Sequence, residues 1–284
     1  MATARRQRPH ELVAQFDPVE RRLEALTEAR RHWINKASEA VQRHGFVDAV
    51  WLVGSLGSGT ADAYSDVDLV VAVDETRPAE VFADPVACFG LPGRVLYTRP
   101  KPRNAPAGGG YLAVCVQLAG LPVLIDLYVW PSATAAVPSG GTVLFSRTRI
   151  PQTDLGFIPL LDQNRTSQTA DADADSATTA PLLAQLAAKY HARADQPRYA
   201  AMAARLHLSN TCGIRELRQT VHPRVDGATR ADLNDAILAV NQLLDLVDTV
   251  TANRSSKPAG RRPGTPEPCP GLPPPSPLTG PPDP

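Results

Sequence analysis

Three acidic residues interrupt apolar runs in this 284-residue chain. Asp66 and Asp68 flank Val67 in SDVDLVVAVD, and Asp126 lies within Leu124-Ile125-Asp126-Leu127-Tyr128. Side chains alternate along a strand, so Asp66 and Asp68 point to one face. Two carboxylates that close repel unless a cation sits between them, and hard oxygen ligands suit Mg²⁺. A lone acid inside an apolar strand is expensive to bury without a partner. If the strand of Asp126 neighbours that of Asp66 and Asp68, the three complete a carboxylate cage able to hold two ions. Such a pair stabilises both the attacking and the leaving oxygens of an in-line phosphoryl displacement.

Upstream, Gly54-Ser55 ends an apolar strand and opens a short helix. Glycine allows close backbone approach, and helix-start N–H groups with the Ser55 hydroxyl can hold phosphate oxygens. The spacing is neither GxGxxG nor GxxxxGK[ST], which excludes a Rossmann or P-loop reading. Ser58 and Thr60 read as turn formers. Lys189, Arg193 and Arg198 read as solvated helix faces. The Arg-x6-His spacing of Arg215 and His222 is one that helical sequence produces by chance, and Pro223 marks a helix end there.

Val53-Gly54-Ser55, a spacer of ten residues and Asp66-Val67-Asp68-Leu69 together resemble the signature of the DNA polymerase β-like nucleotidyltransferases. Ile125-Asp126-Leu127 resembles their later acid between apolar neighbours. GSLGSGTADAYSDVDL is most similar to the small bacterial members, which include aminoglycoside adenylyltransferases and minimal nucleotidyltransferases. Those often carry Arg before the second loop glycine, where this chain has Ser58 before Gly59. The resemblance covers roughly residues 45–130. It implies transfer of a nucleoside monophosphate from an NTP, with AMP from ATP the commonest case, and loss of pyrophosphate. Asp66, Asp68 and Asp126 would be the catalytic and metal-ligating residues, Gly54 and Ser55 the nucleotide-binding ones. The implied acceptor is a hydroxylated small molecule such as an aminoglycoside-like antibiotic. The alternative is a catalytically weak module of the same fold, antitoxin-like and acting on a protein partner.

The elements that must position these residues are legible as periodicity. Residues 17–45 read as a helix, with Asp17 as cap, Pro18 in its first turn and Gly45 closing its end. Strands are expected at Val47–Val53, Val67–Val73, Arg94–Thr98, Tyr111–Leu118 and Val123–Trp130, the last two joined tightly through Ala-Gly-Leu-Pro. After residue 131 the pattern weakens. Helical periodicity returns over 181–193, 197–221 and 229–252, the last capped by Thr229. The expected fold is α/β (α+β): a mixed-sheet nucleotidyltransferase domain over 17–160 followed by a C-terminal helical bundle over 181–252. A flexible arm (1–16), a small-polar linker (161–180) and a disordered Pro-rich tail (253–284) complete the division.

Charge and composition narrow the function classes. With 29 basic and 29 acidic residues the chain lacks the cationic surplus that extensive nucleic-acid binding needs. No apolar run approaches the roughly 18 residues of a membrane span, and MATARRQRPHELVAQFDP has no apolar core of a secretory signal. The four cysteines show no CxxC spacing, which suits a reducing cytoplasm. Twelve of the 28 prolines fall in residues 253–284, so the excess belongs to the tail.

Overall fold

Runs of β-branched residues dictate the centre of the molecule. The computed structural model describes residues 18–165, 177–221 and 233–256. In it VDAVWLV forms β1 (Val47–Val53) and VDLVVAV forms β2 (Val67–Val73). The others are β3 (Arg94–Pro100), β4 (Gly110–Leu118), β5 (Leu121–Pro131) and β6 (Thr142–Ser146). All join one six-stranded sheet in the order β3-β4-β5-β2-β1-β6. Only β2 and β5 pair in parallel; the remaining neighbours are antiparallel. The β4–β5 hairpin turns at Ala119 and Gly120, whose φ angles of 48° and 80° match the twist of the flanking strands.

The helices are α1 (Pro18–Val41), α2 (Gly54–Gly57), α3 (Glu80–Ala83), α4 (Pro85–Phe89), α5 (Phe157–Gln163), α6 (Thr179–Ala192), α7 (Gln196–Arg205), α8 (Ile214–Thr220) and α9 (Asn234–Ser256). Strand alternation divides them between two faces of the sheet. Leu52, Leu69, Ile125 and Leu127 share one buried cluster with Trp33 of α1, Ala188 of α6 and Leu243 of α9. Trp51, Val70, Tyr128 and Trp130 face the other way, onto Leu160 and Leu161 of α5. The molecule is thus a mixed α/β fold with helices on both sides. Among the described residues no helix is long and apolar enough to cross a membrane.

Several expectations meet a different outcome. The first helix stops at Val41, and Gly45 does not adopt the left-handed conformation of a closing glycine. The last carbonyls of the helix, at Ser38, Ala40 and Val41, accept the backbone N–H groups of Gln42, Arg43 and His44, and the carbonyls beyond its end, of Gln42, His44 and Gly45, are taken by Arg147 at 3.1, 3.1 and 2.9 Å. A side chain from a distant segment thus secures the turn that a closing glycine was expected to make. The helix expected over 197–221 is two, α7 and α8. The chain turns at His207 (φ 59°), and Glu216 accepts a hydrogen bond from the Gly213 N–H at 2.9 Å, restarting the helix. β6 and α5 had no counterpart in the periodicity. The arm, Asp17, most of the linker, His222, Thr229 and residues 257–284 of the tail lie outside the described residues.

Candidate active site

The pairing of β2 with β5 puts two acids side by side. Asp68 stands opposite Asp126 in the parallel register, and opposite Val53 at the end of β1. Both acids share their face with Val70, Tyr128 and Trp130, the side covered by α5. Burial, and then the charges of Asp126 and Asp66, push the Asp68 carboxyl well above the ordinary carboxylate range. Burial likewise raises Asp126, against the pull of a hydrogen bond from Tyr111, whose hydroxyl lies 2.5 Å from Oδ1. Two partly buried carboxylates in contact are a store of repulsion that a divalent cation or a proton relieves.

The turn after β1 is built against this pair. Gly54 has φ 64°, and a Cβ placed on it would lie 2.3 Å from Asp68 Oδ2. Only glycine combines that conformation with that proximity. Ser55 follows as the second residue of α2. Ser58 is turn-forming: its hydroxyl donates to the Gly54 carbonyl at 3.0 Å and meets Thr60 Oγ1 at 2.9 Å.

Asp66, just ahead of β2, is engaged differently. Its Oδ1 accepts from the Lys189 ammonium of α6, and the Lys189 side chain is only 5% exposed. One turn later Arg193 grips Asp62 with two hydrogen bonds of 2.6 Å, which hold that carboxyl down to about 2. Buried Arg30 of α1 donates to the Asp62 and Ser65 carbonyls at 2.9 and 2.8 Å. The Asp62–Ser65 loop is therefore fixed by cations from two helices, Arg30 of α1 and Arg193 at the end of α6.

Lys189 and Arg193 are thus not solvated helix faces; Arg198 is, with 69% of its side chain exposed. A signal for Lys189 existed. It stands four residues after Gln185 and three before Ala192, on a stripe of α6 that is buried throughout. Tyr111 carried no signal of its own. It comes beside Asp126 only through the hairpin register, which sets Tyr111 opposite Tyr128 and Ala113 opposite Asp126.

Asp66 and Asp68 at the start of β2, Asp126 midway along β5 and Gly54 directly after β1 are thus brought together, with Ser55 next to Gly54 in the chain. The donor set is oxygen only, and the raised carboxyls of Asp68 and Asp126 fit a hard divalent cation. Among the described residues no three His, Cys, Asp or Glu side chains are grouped to hold a metal ion as they stand. The third acid, Asp66, is paired with Lys189.

Residues 34–99 match the family model of the nucleotidyltransferase domain. The match runs from the second half of α1 into β3 and includes Gly54, Ser55, Asp66 and Asp68, while Asp126 lies beyond it. No curated protein matches the chain closely enough to count as a relative. Among solved structures similar to it is a STING-associated CdnE c-di-GMP synthase from Capnocytophaga granulosa. The two are 12% identical over 87% of this chain and 90% of that one, with a TM-score of 0.25, which carries no weight for this chain.

Proposed function

With a nucleotidyltransferase domain at residues 34–99 as the premise, we propose that the protein moves a nucleoside monophosphate, AMP from ATP in the first instance, onto a hydroxyl of a small molecule. The observation that supports this most is the Asp68–Asp126 pair on adjacent strands, with Gly54 packed against Asp68. That arrangement sets two carboxyls, which a divalent cation would ionise, beside a turn whose backbone glycine brings close.

In this reading the Gly54–Ser55 turn holds phosphate oxygens, while Lys189 and Arg193 face the charge of the β and γ phosphates. The acceptor oxygen bonds to the α-phosphorus as the bond to the α,β-bridging oxygen breaks. Pyrophosphate leaves with that oxygen and its electron pair. The proton of the attacking hydroxyl passes to water. Mg²⁺, held by Asp68 and Asp126 and by Asp66 once Lys189 turns to phosphate, would supply charge neutralisation at the reacting phosphoryl group. The free thiols Cys88, Cys115 and Cys212 suit the cytoplasm as the place of work.

The test is a chain incubated with Mg²⁺ and labelled NTPs beside its Asp68→Ala variant. Wild type is expected to bind nucleotide only with the metal present and to release pyrophosphate when an acceptor is supplied. Asp68→Ala is expected to lose at least ~10²-fold in rate. Absence of metal-dependent nucleotide binding in the wild type would sink the proposal in favour of a non-catalytic module for a protein partner. Ser58 in place of the loop Arg is the feature that favours that rival.

A further inference from the structure

The row of acids has two unlike sides. Toward α6 it meets Lys189, paired with Asp66, and one turn further Arg193, paired with Asp62. Toward α5 it opens into a cleft of about 460 Å³ between the Gly54 turn, the Gly140 loop and the first turn of α5. Asp68 supplies the only charged side chain among the residues lining this cleft; Tyr128, Phe157, Ile158 and Pro159 give it apolar walls. The Phe157 ring stands edge-on to Tyr128 at 4.9 Å, and Tyr128 lies 4.9 Å from Tyr111, the partner of Asp126. An aromatic column therefore leads from the acids to the cleft mouth. There Ile158 is left 57% exposed, one of four large apolar side chains so open among the described residues.

In-line displacement places the attacking and leaving oxygens on opposite sides of the phosphorus. Where Lys189 turns from Asp66 to the β and γ phosphates, as the reading above requires, pyrophosphate leaves toward α6 and the attacking hydroxyl arrives from the α5 side. We propose that this cleft receives the acceptor, and that the acceptor is an uncharged alcohol carried on an apolar, ring-containing body. The inference rests on the nucleotidyl-transfer reading above. It follows from what the lining offers: flat apolar walls for a ring, and no carboxylate besides Asp68 to anchor a polycation. The hydroxyl enters beside Asp68 and Tyr128 and forms its bond to the α-phosphorus as the bond to pyrophosphate breaks, its proton passing to water.

The experiment offers the full chain, with ATP and Mg²⁺, two sets of acceptors. One holds uncharged cyclohexyl- and aryl-substituted alcohols, the other polyamine sugars of the kanamycin type. Mass gain of one nucleoside monophosphate on the acceptor is the readout, and calorimetry measures MgATP binding separately. Transfer is expected to the ring-bearing alcohols. Ile158→Glu is expected to raise their KM about tenfold, the loss of one apolar contact and its replacement by charge, with the KM for ATP within twofold. Ile158→Ala shifts it in the same direction by less. Because Ile158 is exposed, both variants should melt with the wild type. Transfer confined to the polyamine sugars, transfer to neither set while MgATP binds, or an unchanged alcohol KM in Ile158→Glu each overturns the acceptor assignment. Loss of MgATP binding in the wild type is a different failure, one that removes the nucleotidyl reading and this inference together.

Discussion

Gly54 joins backbone conformation to electrostatics at a single position. Its positive φ and the 2.3 Å approach of Asp68 Oδ2 to any added Cβ make Gly54→Ala strained twice over. The variant should lose ~2 kcal/mol of stability by thermal or urea unfolding, and nucleotide binding should weaken with it. The paired acids carry a second prediction. Burial raises Asp68 and Asp126 above the ordinary carboxylate range, so between about pH 5 and 8 the folded protein binds more protons than the unfolded chain. Stability of the metal-free protein must then fall as pH rises through that window. Melting temperatures measured across it should decline, and both Asp68→Asn and saturating Mg²⁺ should flatten the slope. Asp62 acts the opposite way. Held near 2 by Arg193, it contributes stability that is present above its ordinary value and lost as pH falls toward 2. Residue types alone made Asp66, Asp68, Asp126 and Gly54 visible, because acids in apolar strands and glycine at a strand end are costly anomalies. Lys189 was misread as solvated because a lysine's burial depends on what the facing element offers, here the carboxylate of Asp66.

At the scale of elements, β1 and β2 were legible to the residue, since apolar runs bounded by Gly54 and by Asp66 and Asp74 leave little freedom in where a strand ends. β6 and α5 were not. β6 is five residues with no fully buried side chain, so it shows no alternation. α5 is seven residues with Pro159 inside it, too short for a helical stripe to emerge. Their places are set by what they pack against: β6 by the edge of β1, α5 by Trp130 and its neighbours. Arg147, directly after β6, illustrates the consequence. Its guanidinium ties the end of α1 to the start of β1 through the Gln42, His44, Gly45 and Val47 carbonyls. Arg147→Ala should cost about 1–2 kcal/mol, held to that range because the contacts are only partly buried. Hydrogen exchange should locate the loosening at residues 42–47, with the acids unaffected.

For the whole molecule, the helical segments and the sheet share one buried cluster, from Trp33 through Leu69 and Ile125 to Leu243. The helices α6 to α9, read from the sequence as a separate bundle over 181–252, bury side chains in the same cluster as the sheet. The far end of α9 is equally bound in, because Arg254 donates to the Ala192 carbonyl at the end of α6, 2.5 Å away. A chain ending at residue 256 should therefore keep its melting temperature and nucleotide transfer. One ending at 252 gives up the Arg254 contact and should melt lower, by roughly 2–4 °C. Calorimetry of the two truncations beside the full chain checks both statements.

The parallel pairing of β2 with β5 also bears on how the protein is made. Asp126 can meet Asp68 once β5 has been made, whereas the Lys189 partner of Asp66 lies 123 positions beyond Asp66 along the chain. While the chain is still being synthesised, the sheet can close before α6 has emerged from the ribosome. If it does so, the acids stand together before Lys189 reaches Asp66, and a divalent cation would relieve their repulsion. Magnesium bound then would act as a helper of folding before it served in turnover.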